Sequence, residues 1–175
     1  KYMILASSPY KVNDDNMKAV KEIQDRTGLV LHVIDYKIDN NTEDILRRVG
    51  IKYTTTDSVS VVNFMELLKH AEVVIDTHPF GNCNIAFQAF TAGGCMVTYP
   101  SDRLYGRFVQ GLYKKMGITD DSVVATSWDD YVEKNVRMIE DSVDIRGRIL
   151  KNVHKIIEDT QSVQSFVNIF NTVSS

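Results

Sequence analysis

The chain has 175 residues, a formal net charge of −3 and 43% hydrophobic residues, an ordinary composition for a globular domain. The acidic balance argues against a nucleic-acid-binding domain, and no apolar run reaches the roughly 18 residues that a membrane span needs. Two cysteines make no disulfide framework, and four scattered histidines add no zinc spacing. We therefore expect reduced thiols, no metal site and a cytoplasmic protein. The length suits one domain over residues 1–175, and a strand-like start at Lys1 suggests a piece of a longer protein.

Short apolar runs alternate with helical repeats along the chain. Apolar runs bounded by turn residues predict strands at 2–6, 29–35, 51–54, 73–75, 95–99 and 122–125. Residues at helical spacing predict helices between 13–16 and Gly28, from 41 or 42 to 48, and at 59–70, 85–92, 104–116, 128–140, 145–157 and 163–170. Because strands alternate with helices, we expect a Rossmann-like α/β domain, with a parallel sheet, helices on both faces and further C-terminal helices.

A polar loop follows the fourth predicted strand and leads into a helix. The loop reads DTHPFGNCN over residues 76–84, and Gly93-Gly94 ends the helix that follows. In an open α/β sheet ligands bind at the carboxyl ends of the strands. A helix start also presents unpaired N–H groups and a positive dipole end, which suit a phosphate. The loop therefore predicts an anion site, although an ordinary strand-to-helix turn also uses Gly and Asn.

Individual residues of this loop have recognisable uses. Gly81 permits a close approach of a ligand to the backbone, and Asn82 and Asn84 can cap the helix or donate hydrogen bonds. Cys83 lacks a His or carboxylate partner at a defined spacing, so packing or a backbone contact is its simpler interpretation. The loop has neither the G-x-G-x-x-G pattern of dinucleotide sites nor the P-loop pattern.

Lys11 follows the first predicted strand. The first and fourth strands of a doubly wound sheet can be neighbours, so Lys11 can reach the same crevice as the loop 76–84. Its ammonium would neutralise a diphosphate as a point charge. A solvent-exposed surface lysine is the alternative interpretation.

The loop and the segments after it resemble a known group of enzymes. The similarity is to the carboxyl-terminal half of GT-B glycosyltransferases, in the group that contains O-linked N-acetylglucosamine transferase and the bacterial cytoplasmic N-glucosyltransferases. It rests on the loop 76–84 together with TAGGCMVT at 91–98, LYGR at 104–107 and GLYKKMGI at 111–118. The PFGN-x-N run at 79–84 is most similar to the bacterial branch, and Tyr10-Lys11 fits the same pattern. The resemblance extends from Tyr2 to about Val167 in matching order.

This resemblance implies a donor site for a nucleotide sugar, usually a UDP-sugar, in an inverting transferase that needs no metal or other cofactor. Lys11 would contact the leaving diphosphate and so act in catalysis. Gly81, Asn82, Cys83 and Asn84 would place backbone and side-chain donors on the same group at the start of the helix.

The resemblance also suggests how the nucleoside is held. The segment around Val61 and Phe64 falls where the family binds the base, although the spacing of these two residues also fits the core face of their helix. The family usually has an acidic residue for the ribose hydroxyls where this chain has Gln88. Gln88 can still bond a hydroxyl as donor or acceptor, so binding is retained but the choice of nucleotide stays open.

The implied partners follow from the same family. Its acceptor site lies mostly in an amino-terminal GT-B domain that this chain lacks, so the isolated chain is expected to bind donor weakly and to transfer little. The acceptor is a protein side chain or, alternatively, a glycan or lipid. A catalytically degenerate Rossmann-like interaction module is a further alternative, which Gln88 favours, and a phosphate-ester enzyme of flavodoxin type is a distant one.

Overall fold

A four-stranded parallel sheet forms the centre of the fold. The computed structural model describes residues 1–34, 40–56 and 59–173. The strands stand in the order β3-β2-β1-β4, with the bounds β1 Tyr2–Leu5, β2 Val30–Ile34, β3 Tyr53–Thr56 and β4 Val73–Val74. Strands β1 and β4 are neighbours, with Met3 opposite Val73 and Ile4 opposite Val74. The strand order therefore reverses between β1 and β4, which is where ligands bind in doubly wound sheets.

Helices connect and flank these strands. They are α1 Asp14–Thr27, α2 Asn40–Val49, α3 Val61–His70, α4 Asn84–Thr91, α5 Phe108–Met116, α6 Trp128–Glu140, α7 Val143–Asn152, α8 His154–Ile157 and α9 Thr160–Val173. Helix α6 has the predicted bounds, and Ser127 caps it by accepting a hydrogen bond from the N–H of Asp130. The predicted Rossmann-like α/β fold with C-terminal helices is confirmed.

The two predicted strands at 95–99 and 122–125 are reduced to a single parallel bridge between Thr98 and Val124. In the first segment the hydroxyl of Tyr113 donates to the Met96 carbonyl at 2.7 Å and accepts from the Met96 N–H at 3.3 Å. In the second, the Asp120 side chain accepts from the N–H of Ser122 and favours a 3₁₀ turn. Side chains thus form hydrogen bonds with backbone groups that would pair with a neighbouring strand if these strands were continuous.

Several other predicted bounds differ from the structure, and the third strand, predicted at 51–54, lies at Tyr53–Thr56. The predicted helix 104–116 is a 3₁₀ turn at Leu104–Gly106 followed by α5, and the predicted helix 145–157 is divided into α7 and α8. Asp35, the predicted end of the second strand, lies outside the described residues.

The core lies on both faces of the sheet and excludes α9. Strand residues Met3, Ile4 and Leu31 are fully buried, as expected for a parallel sheet that is covered on both sides. Five apolar residues of α9 are instead between 43% and 68% exposed, and these are Val163, Phe166, Val167, Ile169 and Phe170. The helices of the described ranges all fall short of the length and apolar character that crossing a membrane requires.

Candidate functional site

A cleft of about 840 Å³ opens at the carboxyl ends of β1 and β4. One wall is the segment 7–12 after β1, which contains a 3₁₀ turn at Pro9–Lys11, and another is the loop 76–84 with the start of α4. This volume is in the range of small-molecule sites. Residues lining the cleft include Lys11, Val33, Ile34, Thr42, Phe64, Phe80, Asn82, Cys83, Asn84, Gln88 and Phe108.

Lys11 is half-buried at the meeting point of these two walls. Its Nζ donates a hydrogen bond to the carbonyl of Gly81 at 2.9 Å and lies 4.3 Å from the centroid of the Phe80 ring. The ring face and the carbonyl oxygen both attract a cation. These contacts hold the ammonium at the cleft, where its remaining N–H groups can meet an anion.

Asn82 is fully buried and joins the two walls. Its side-chain carbonyl accepts a hydrogen bond from the Ser7 hydroxyl at 2.8 Å, and its side-chain N–H donates to the Ile75 carbonyl at 3.0 Å. Its backbone N–H donates to the Asp76 carboxylate at 2.7 Å. The family resemblance implies that the N–H groups of Asn82 donate to a ligand. In this structure they donate to Asp76 and Ile75 instead.

Asp76 is a buried carboxyl directly behind the loop. Burial raises the pKa of this group to about 6, while the Asn82 N–H and the Lys11 charge act in the opposite direction. Its backbone carbonyl accepts a hydrogen bond from the Tyr131 hydroxyl at 2.9 Å. No role of Asp76 was predicted from the sequence. The signal that could have identified it is an acidic residue placed directly after a buried strand, at the ligand-binding edge of the sheet.

Helix α4 starts at the cleft. Cys83 occupies its cap position without a side-chain cap bond, and Asn84, its first residue, is exposed. Gln88 is half-buried one turn further along and also lines the cleft. The first N–H groups of a helix have no intrahelical partner and carry the positive end of the helix dipole. This end of α4 therefore favours an anion in the cleft.

The part of the cleft wall that β2 and α3 form is apolar. Phe64 is buried there beside Val33 and Ile34, and all three line the cleft. Val61, expected next to Phe64, is 72% exposed and lies outside the lining residues. Gly81 is buried and contributes its carbonyl to Lys11 rather than lining the cleft itself. The structure therefore gathers Lys11, Phe64, Asn82, Cys83, Asn84 and Gln88, and leaves Val61 outside.

The outer half of the loop is held by side chains of α1 and of the segment that follows α4. Asn13 and Asn16 both donate to the His78 carbonyl, at 2.8 and 2.6 Å, and Asn16 accepts from the His78 N–H at 2.9 Å. The His78 ring bonds the Tyr99 carbonyl at 2.9 Å and stacks on the Tyr99 ring. The loop therefore has one well-defined conformation that several elements impose together.

Within the ranges described, no group of three or more histidine, cysteine or acidic side chains is placed to hold a metal ion.

Curated proteins of known activity are similar to this chain. Two UDP-glucose:protein N-beta-glucosyltransferases of Actinobacillus pleuropneumoniae, from serotype 5b strain L20 and serotype 7 strain AP76, are each 26% identical over 158 residues. The match covers 85% of this chain and 25% of each relative, so the chain spans a quarter of the length of the curated relatives it matches. No protein-family profile matches the chain.

Solved structures share its fold. A mutant Thermobaculum terrenum O-GlcNAc transferase matches 90% of this chain and 32% of its own length, with a TM-score of 0.73 and 15% identity. AviGT4, a glycosyltransferase involved in avilamycin A biosynthesis, matches 96% of this chain and 51% of its own length, with a TM-score of 0.62 and 15% identity. The catalytic domain of Helicobacter pylori cholesterol-alpha-glucosyltransferase matches 87% of this chain and 96% of its own length, with a TM-score of 0.61 and 14% identity.

The likenesses in sequence and in fold agree with the motifs of the loop 76–84 and of the segments after it. The chain therefore resembles the carboxyl-terminal half of GT-B glycosyltransferases, in the group that contains O-GlcNAc transferase and the bacterial protein N-glucosyltransferases.

Proposed function

We propose that this chain is the donor-binding domain of an inverting glycosyltransferase that uses a UDP-sugar without a metal ion. The observation that carries the proposal is the cleft at the reversal of strand order, where the Lys11 ammonium and the start of α4 meet. Both features favour an anion. The similar curated proteins are named for UDP-glucose as donor. A sugar joined to a nucleoside diphosphate is therefore the ligand that this cleft fits best.

The proposed chemistry places the diphosphate between Lys11 and α4. The acceptor atom attacks the anomeric carbon on the face opposite the diphosphate, so the configuration inverts and the nucleoside diphosphate leaves with the bonding electrons. The proton of the acceptor passes to a base in the part of the protein beyond this chain. Lys11 Nζ, which donates one hydrogen bond to the Gly81 carbonyl, has two further N–H groups for the developing phosphate charge. Positive groups fixed in advance at this position stabilise the leaving group, as an oxyanion site does. The proposed mechanism assigns this task to the protein rather than to a metal ion.

The nucleoside is assigned to the rest of the cleft. Phe64, Val33 and Ile34 provide the apolar surface on which a uracil ring would pack. The Gln88 side chain lies one helical turn from the diphosphate end and can bond a ribose hydroxyl as donor or acceptor. The arrangement orders the ligand from base to phosphate along the cleft.

The acceptor is assigned to the part of the protein beyond this chain. The curated relatives are about four times longer than the region they share with it, and their name specifies a protein acceptor. We therefore propose that a further GT-B domain, amino-terminal to this one, completes the active site and that the acceptor is a protein side chain. The isolated domain should bind donor and transfer little sugar.

Binding of UDP-glucose in the presence of EDTA tests the donor site. We expect isothermal titration and thermal shift to detect binding to the wild-type chain. Lys11→Ala should weaken it about tenfold or more, because a hydrogen bond to a charged group is lost. Lys18→Ala removes an exposed lysine of α1 and serves as the matched control, with unchanged affinity. Parallel titrations with GDP-glucose and TDP-glucose determine which nucleotide Gln88 permits.

Two results would contradict the proposal. One is the absence of binding by any of the three nucleotide sugars, which would favour the degenerate interaction module that Gln88 suggests. The other is full affinity in Lys11→Ala, which would place the diphosphate elsewhere. Radiolabelled transfer by the full-length protein to peptide, glycan and lipid acceptors then decides the acceptor class.

A further inference from the structure

Three residues form a hydrogen-bonded network between the walls of the cleft, in which Asn82 contributes both its side chain and its backbone N–H. The Ser7 hydroxyl, after β1, donates to the Asn82 side-chain carbonyl at 2.8 Å. The backbone N–H of Asn82 donates to the carboxylate of Asp76, after β4, at 2.7 Å. Asn82 and Asp76 are both buried, so their polar groups depend on each other rather than on water. The network therefore fixes how far apart the two walls stand.

We propose that Asp76 is a positioning residue for the donor site, which holds the Asn82 backbone and, through the Asn82 side chain, the Ser7 segment. This inference rests on the proposed function, since the ligand being positioned is the donor diphosphate. Asp76 acts through Asn82 and Lys11 and does not itself need to touch the donor.

The titratable groups that face Asp76 come from three elements. Lys11 faces it from the 3₁₀ turn, Tyr113 from α5 and Tyr131 from α6. Burial raises the pKa of both phenols, so they remain neutral in the physiological range. Lys11 is consequently the positive charge shared between Asp76 and a bound diphosphate.

Because Asp76 and a bound diphosphate share the charge of Lys11, donor binding is coupled to the protonation of the Asp76 carboxyl. A diphosphate beside Lys11 places negative charge near Asp76, which disfavours the ionised carboxyl and raises its pKa above the value of about 6 in the free protein. Binding then takes up protons between pH 5 and pH 7, and the linkage relation requires donor affinity to rise as the pH falls across that window. A pKa increase of half a unit corresponds to a rise of about threefold in affinity from pH 7.5 to pH 5.

Titrations with UDP-glucose at several pH values test the inference. A sugar nucleotide is suitable because its diphosphate is esterified at both ends, whereas free UDP has its own ionisation near pH 6. We expect the wild-type affinity to rise about threefold or more from pH 7.5 to pH 5. Asp76→Asn keeps an acceptor for the Asn82 N–H and removes the charge, so its affinity should lie near the wild-type value at pH 5 and should no longer change with pH.

Two further variants separate the hydrogen bond from the charge. Asp76→Ala removes the acceptor, so affinity should fall about tenfold at every pH. Ser7→Ala breaks the other end of the network without touching the carboxyl, so affinity should fall while the pH dependence remains, and Ser7→Thr should restore it. Asp102→Asn makes the same chemical change at an exposed carboxyl and should match the wild type throughout.

The outcomes distinguish this inference from the proposed function. A wild-type chain that does not bind UDP-glucose at any pH overturns the proposed function, and the inference falls with it. A wild-type chain that binds, together with Asp76→Asn that keeps the wild-type pH dependence, leaves the donor site standing and overturns the role of Asp76. Equal affinities of Ser7→Ala and the wild type would overturn the role of the network.

Discussion

The loop 76–84 and helix α9 are opposite cases in the same molecule. The loop has no regular secondary structure, yet α1, α6 and the segment after β1 all hydrogen-bond to it. Helix α9 is a regular helix of 14 residues, yet its apolar side chains are between 43% and 68% exposed. A segment can therefore have regular secondary structure without tertiary contacts, and tertiary contacts without regular secondary structure. A helix of this length is marginal by itself in water, whereas the loop derives its order from its neighbours.

This contrast has a functional meaning for the loop. A binding segment that is ordered before its ligand arrives loses little conformational entropy on binding. The carbonyl of Gly81 already holds Lys11, and the N–H of Asn82 already bonds Asp76. The wall proposed to hold the diphosphate is consequently preorganised by buried polar contacts rather than by secondary structure.

The strongest way to break the fixed loop is a methyl group at Gly106. A Cβ there would lie 2.5 Å from the Pro79 carbonyl oxygen, and the Ser101 side chain is also in its way. We expect Gly106→Ala to lower the free energy of unfolding by about 3 kcal/mol, because the loop 76–84 and the segment 101–106 would be forced apart. Urea unfolding followed by circular dichroism measures this change.

Gly111 provides the matched control for this substitution. A Cβ at Gly111 meets nothing within 4 Å, and the residue lies inside α5. Gly111→Ala should therefore raise the free energy of unfolding by about 0.5–1 kcal/mol, since alanine is the better helix former. Equal stability of Gly106→Ala and the wild type would show that the two segments separate at no cost.

Asn82→Ala should have the next largest effect. It removes the hydrogen bonds to Ser7 and to the Ile75 carbonyl, and leaves buried polar groups without partners. We expect a loss of about 2 kcal/mol in the free energy of unfolding. Asn84→Ala, the same change at the exposed start of α4, should stay within about 0.5 kcal/mol of the wild type. Similar losses at the two positions would mean that burial of Asn82 does not matter.

Much of the fold could be predicted from the sequence because it follows from local patterns. Buried strands such as β1 appear as short apolar runs, and Ser127 with Asp130 marks the start of α6. The missing strands at 95–99 and 122–125 could not be predicted in this way. The loss at 95–99 depends on the Tyr113 hydroxyl, which reaches Met96 from 17 residues away, and the loss at 122–125 accompanies the 3₁₀ turn that the Asp120 side chain caps.

The candidate site was predictable where it follows from topology. Adjacent first and fourth strands place Lys11 beside the loop 76–84, as expected for a doubly wound sheet. The position of Val61 was not predictable, because periodicity gives the face of a helix but not how far its neighbours extend. The sequence places Asp76 directly after a buried strand, but the hydrogen bond from the backbone N–H of Asn82, on which its proposed role depends, has no pattern in the sequence.

The buried carboxyl of Asp76 makes the free energy of unfolding depend on pH. The pKa of Asp76 is about 6 in the folded protein, against about 3.9 in an unfolded chain. The folded state therefore keeps its proton to higher pH, and the stabilising contribution, complete below about pH 4, is lost as the pH rises through about 6. We expect the free energy of unfolding to fall by about 1 kcal/mol from this group between pH 5 and pH 7.

The comparison with Asp76→Asn isolates this contribution. Burial lowers the pKa of His32, so the contribution of this group to stability is opposite in sign and rises with pH. Both effects occur in the wild type, whereas the variant retains only that of His32. Urea unfolding at pH 5, 6 and 7 should show that the free energy of unfolding of the wild type falls relative to that of Asp76→Asn by about 1 kcal/mol across this range. A difference between the two proteins that stays constant would mean that Asp76 titrates normally in the folded state.

The smallest expected effect is on α9. Phe166→Ala should change the free energy of unfolding by less than about 0.5 kcal/mol, because the ring is 64% exposed and its removal leaves no cavity. The same change at Phe90, which is fully buried in α4, should cost about 3 kcal/mol or more. Urea unfolding of both variants measures the difference. A loss above about 1 kcal/mol for Phe166→Ala would mean that α9 packs on the rest of the domain in solution. Helix α9 would then be held by tertiary contacts, as the loop 76–84 is.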